Sequence, residues 1–91
     1  MDVTHGSVLV DDRELLSNVP VYVNEGGREG AYVNWMGCLH LDRESGSKLE
    51  QQEYRLKLRD GRLGNITIRK VISTNGAMHV EVLFEGRRED S

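Results

Sequence analysis

An all-β fold, a small antiparallel β-barrel or compact sandwich of about six strands, is predicted from three features of the sequence. Apolar and polar residues alternate in one run after another, as they do when successive side chains of a strand point to opposite faces. Reversal signals such as Asp60-Gly61 and Asn75-Gly76 fall between the runs, where a hairpin needs residues that tolerate positive φ. No stretch carries apolar residues at the helical period over a helix's usual length.

Val8-Leu9-Val10 is a short β-type run, closed by Asp11-Asp12-Arg13, whose polar side chains can bond their own backbone in a turn. Glu14-Leu15-Leu16 reads equally as one helical turn or as the start of the next strand. Val19, Val21 and Val23 alternate with Pro20, Tyr22 and Asn24. This is a strand in which Pro20, lacking an N–H, belongs at an edge or among the first residues. Residues 25–30, with Gly26, Gly27 and Gly30, read as a flexible polar loop. Alternation returns over 31–42, with Ala31, Val33, Trp35, Gly37, Leu39 and Leu41 on one face and Tyr32, Asn34, Met36, Cys38, His40 and Asp42 on the other. Trp35 is the largest apolar group in the chain, so its face is expected inward, with Gly37 marking a bend or a close strand crossing. Residues 42–48 read as a loop, and 49–53 lead into the next strand.

Residues 54–86 are expected to form a three-stranded antiparallel meander. Tyr54, Leu56 and Leu58 share one face, against Arg55, Lys57 and Arg59. Ile66 and Ile68 continue the apolar face after the Asp60-Gly61 reversal, and the Val71-Ile72 doublet, which breaks the alternation, is expected to be a bulge or a strand end. After Asn75-Gly76, the residues Met78, Val80, Val82 and Phe84 supply an inward face, while His79, Glu81, Leu83 and Glu85 point away. The polar tail 87–91 is expected to fray.

The chain has 91 residues, the size of one domain. A hydrophobic content of 37% against 30% charged residues fits a packed domain rather than a disordered chain. A domain this small buries only about 60–65% of its unfolded surface, which makes a partner or a second copy a natural expectation. No run of about 18 apolar residues is present, so no membrane span is expected. The first six residues lack the basic and apolar segments of a secretion signal. Cys38 is the only cysteine and can form no intrachain disulfide, so a reducing, cytoplasmic setting is expected.

The net charge of −3 conceals an uneven distribution. Residues 1–53 carry ten acidic and four basic side chains, residues 54–80 six basic and one acidic. Arg55, Lys57, Arg59, Arg62 and Arg69 are therefore the candidate binding residues: arginine forks grip carboxylates and phosphates, so a basic meander face could hold an acidic protein partner. Cross-strand acids such as Glu14, Glu50, Glu53, Glu81 and Glu85 are the groups able to neutralise it. Nucleic acid is the weaker expectation, because the chain is acidic overall and stacking aromatics are scarce.

Catalytic and metal chemistry find little support. Cys38 and His40 lie two apart on one strand face, but their backbone positions are separated by roughly 6–7 Å, and no third group is evident to orient the histidine. A zinc site needs three or four ligands, and beyond this pair the sequence offers only His5, His79 and scattered carboxylates. Gly26-Gly27-x-x-Gly30 is followed by no helix to lend a phosphate site its dipole. The expectation is a non-enzymatic binding or interaction module without cofactor or metal. A self-associating domain, its edge or its outward Tyr22, Tyr32 and Met36 covered by a second copy, is the alternative.

Overall fold

The computed structural model describes residues 2–29, 32–73 and 76–89. Six strands and one helical turn follow each other in the order β1 (Asp2–Val10), β2 (Arg13–Glu29), β3 (Tyr32–Asp42), α1 (Arg43–Gly46), β4 (Glu53–Leu58), β5 (Leu63–Ser73) and β6 (His79–Arg88). They close into an antiparallel barrel with neighbours in the order β1-β2-β3-β6-β5-β4. The barrel alternative of the sequence reading is thus the one adopted, and β4, β5 and β6 form the expected meander.

Closure puts every apolar face on one axis. Val8, Val21, Leu39, Leu56, Ile66 and Val82 are fully buried, one from each strand. Trp35 and Phe84 lie in the same core. Each such side chain contributes about 1.5–3 kcal/mol on burial, so this core is the main source of stability. Gly37 is the close crossing that the alternation suggested: a Cβ there would run into the carbonyl of Tyr22 on the neighbouring strand.

Several boundaries differ from the sequence reading, each for a reason visible in the pairing. Residues 25–29 extend β2 rather than forming a loop, because they pair with β3 through Glu29↔Tyr32 across a register shift between Glu25 and Arg28. Residues 14–16 also belong to β2, which is offset from β1 by two further shifts, one opposite Asn18 at φ 53°. Bulges of this kind bend a long strand around the barrel. Pro20 pairs with His5 but precedes the first β2–β3 pair at Val21↔Leu39, so that ladder loses no donor there. The β4–β5 connection is wider than a two-residue turn: only Gly61 has positive φ, at 101°, while Asp60 accepts from the Arg62 N–H. Ala31 and Asn75 lie outside the described residues. Arg87 and Arg88 are paired within β6, and Glu89 N–H donates to the Leu63 carbonyl, so the tail is anchored as far as that residue.

α1 and the segment after it cross one end of the barrel, from β3 to β4. Gly46 lets α1 sit against Val80, Leu49 is buried beneath, and the Tyr54 hydroxyl accepts from Glu50 N–H. Arg43 pins this crossing to the β5–β6 turn by donating from Nε to the Ala77 carbonyl at 2.5 Å. The opposite end is closed by Trp35, whose indole N–H donates to Glu25 at 2.9 Å.

Candidate functional site

The five candidate cations do not form one strip. Arg55 pairs with Glu89 at 2.8 Å. Arg62 is drawn into the closed end of the barrel, where it meets Asp60 at 2.8 Å and Glu25 at 3.5 Å. Glu25 also accepts from Arg88 at 2.8 Å. Arg69 lies four residues along β5 from Asn65, the partner of Arg55, a separation of about 13 Å at the rise of a strand. It pairs with Glu85 at 3.3 Å. Lys57 and Arg59 are exposed and have no ion pair among the described residues. Of the acids expected to neutralise the face, Glu85 alone does so. Glu25, Asp60 and Glu89 take the other arginines, and Glu14 accepts instead from the Ser7 hydroxyl.

The charges at the closed end hold one another in place. Glu25 is kept below its usual carboxylate range first by the Trp35 indole hydrogen bond and then by Arg88 and Arg62. Asp60 is lowered likewise, by its hydrogen bonds from Arg62. This cluster is reciprocally satisfied and offers an incoming anion little.

The other end of β5 is different. Pairing with β4 stops at Glu53↔Thr67, while pairing with β6 continues to Ser73↔Val80. On the β4 side, Gln52 accepts from Ile68 N–H and the Gln51 side chain donates to the Arg69 carbonyl, and there the contacts end. Residues 70–73 are therefore hydrogen-bonded on one side alone among the described residues. Val71 and Ile72 are 43% and 38% exposed, which makes this an apolar strand edge facing solvent.

The alternation of β5 resets at Arg69, between Ile68↔Phe84 and Lys70↔Leu83, and not at Val71-Ile72 as the sequence suggested. One extra residue on the strand turns both Arg69 and Lys70 to the outer wall, at the point where the free edge begins. Lys70 has no ion pair among the described residues. Met78, expected inward, is 76% exposed beside the same hairpin.

Comparison with known proteins decides nothing further. No protein-family model, no curated protein and no solved structure matches the chain.

A second feature of the outer wall is a groove of about 580 Å³ that crosses β2, β3 and β6 and reaches Arg69 of β5, lined also by Tyr22, Met36, Cys38, His40 and Leu83. Tyr22 and Met36 thus sit outward as expected, while the Tyr32 side chain lies outside the described residues. The Cys38 and His40 side chains lean together, bringing Sγ within 3.7 Å of Nε2, closer than their backbone spacing implied. The same Nε2 also faces Glu81 at 3.9 Å. A base that is oriented through one ring nitrogen and acts through the other needs two different atoms, and here one nitrogen meets both neighbours. Burial, reinforced by the Glu81 charge, pushes the Cys38 thiol up, away from the reactive thiolate. Among the described residues no three His, Cys, Asp or Glu side chains converge as a metal site, and no helix is long and apolar enough to cross a membrane.

Proposed function

We propose that this chain is a non-catalytic protein-interaction module that takes an extended acidic segment of a partner as an added strand along residues 70–73 of β5. The observation that carries this reading is the one-sided pairing of those residues, next to Arg69 and Lys70. An exposed edge supplies a row of backbone donors and acceptors, and a strand laid along it gains ladder hydrogen bonds together with alternate side-chain contacts. The two cations select for acidic side chains and against a second copy of the same basic edge, since lysine at a strand edge discourages self-pairing.

Nucleic acid fits less well. Three of the five candidate cations are paired with acids, and the groove that reaches Arg69 offers one outward tyrosine among the described residues, Tyr22. Stacking between base and aromatic residue, which single-strand binders repeat along a basic groove, is limited to that ring among the described residues.

The test is a titration of isotope-labelled protein with an eight-residue peptide of alternating glutamate and valine, at about 50 mM and at about 500 mM salt, where screening of exposed charges differs strongly. Amide shifts confined to residues 68–73 and weakened at high salt are expected, and Lys70→Glu should abolish them. Shifts centred on Lys57 and Arg59, or none at all, would overturn the reading.

A further inference from the structure

We infer that the segment captured at this edge is a carboxyl-terminal tail, its free carboxylate held beside Arg69 and Lys70. The inference rests on the strand-addition reading above and adds what the end of the site demands. A strand lying along residues 70–73 does not have an open track in both directions. At the Arg69 end the edge is already occupied: Gln52 takes the Ile68 N–H, the Gln51 side chain takes the Arg69 carbonyl, and β4 continues the wall beyond. An incoming chain must stop or turn away at that point.

The charges decide which chain end fits. An added strand running parallel to β5 would bring its amino-terminal side to Arg69 and Lys70, and an ammonium stopping there would meet two cations. A strand running antiparallel brings its carboxyl end to the same place, where a carboxylate gains charge-assisted hydrogen bonds from the arginine fork and the lysine. Antiparallel addition also matches every pair already in the sheet. The bulge at Arg69 sharpens the site, because it turns two consecutive side chains outward where an unbroken strand would offer one. Glu85, which pairs with Arg69 at 3.3 Å, is half exposed, and Lys70 beside it has no ion pair among the described residues. Upstream of its carboxylate the tail lies against Val71 on the inner side of the edge and Ile72 on the outer side, so apolar residues are favoured there.

Three peptides of one alternating glutamate and valine sequence test this: one with a free carboxyl terminus, one amidated, and one extended by three glycines. Binding is read from amide shifts of residues 68–73 at about 50 mM salt. The free acid is expected to bind at least about ten-fold more tightly than the amide, the scale of one hydrogen bond to a charged group. The extended peptide should resemble the amide, and the double variant Arg69→Gln, Lys70→Gln should erase the difference. Equal affinity for acid and amide would overturn the carboxyl-terminal assignment while leaving strand addition in place. Failure of all three peptides to shift residues 68–73 would overturn both.

Discussion

The two halves of β5 make opposite use of one strand. Residues 63–68 are walled by β4 and the Gln52 carbonyl on one side and by β6 on the other, and they bury Ile66 and Ile68 in the barrel. Residues 70–73 keep β6 alone and expose Val71 and Ile72. Composition does not separate them, since both halves are rich in β-branched residues. Pairing does: β4 is six residues long and β5 eleven, so the longer strand overruns its neighbour. A strand flanked on both sides contributes to stability, whereas one flanked on a single side presents an interaction surface.

The same charge placed in each half should act in opposite ways. Ile68→Asp, like Leu58→Asp on β4, buries an unpaired carboxylate, at a cost comparable with a small domain's whole stability of about 5–15 kcal/mol. Loss of the cooperative thermal transition is expected. Ile72→Asp should cost no more than about 1 kcal/mol, the scale of its repulsion from Glu81 directly opposite on β6. A cooperative Ile68→Asp variant, or an unfolded Ile72→Asp variant, would dissolve the distinction.

Gly37→Ala tests the wall from another strand. The added Cβ meets the Tyr22 carbonyl, so β2 and β3 must part, with an expected loss of about 1–3 kcal/mol in chemical denaturation. At the closed end, Glu25→Gln removes the charge that joins Trp35, Arg62 and Arg88 and should cost about 1–2 kcal/mol at neutral pH. Because the folded-state value of Glu25 is lowered, its contribution is complete above its usual value of 4.5 and is lost as pH falls through the lowered one. Parent and variant stabilities should therefore converge in acid, and a gap that widens there would contradict the assignment. The smallest effect is expected at the free edge: Arg69→Gln with Lys70→Gln should leave the melting temperature within about 2 °C while weakening the free-acid peptide to the affinity of its amide.

Much of the barrel was legible in the sequence because its information is local. The alternations at Val19 to Val23, Trp35 to Leu41, Leu56 to Leu58 and Ile66 to Ile68 each name an inward face, and closure follows once six such faces must share one core. The strand lengths and the bulge were less visible. Two doublets at 69–72, Arg69-Lys70 and Val71-Ile72, both break the alternation, and only the pairing with Phe84 and Leu83 shows that the reset occurs at the first. The partners of the arginines were hidden for a related reason. Glu25 reaches Arg88 across 63 residues and Glu89 reaches Arg55 across 34, distances that no local pattern encodes. The free edge likewise depends on where β4 ends, which is a property of two strands rather than one.

Amide hydrogen exchange along β5 separates a free strand edge from a covered one. In the free protein, amides of residues 63–68 should exchange slowly on both sides of the strand, while those of residues 70–73 that point away from β6 should exchange close to the unprotected rate. Adding the free-acid peptide should slow that second set and leave the first unchanged. Uniformly slow exchange over residues 70–73 before any peptide is added would mean that the edge is already covered, and the account of this protein as a strand-accepting module would be wrong.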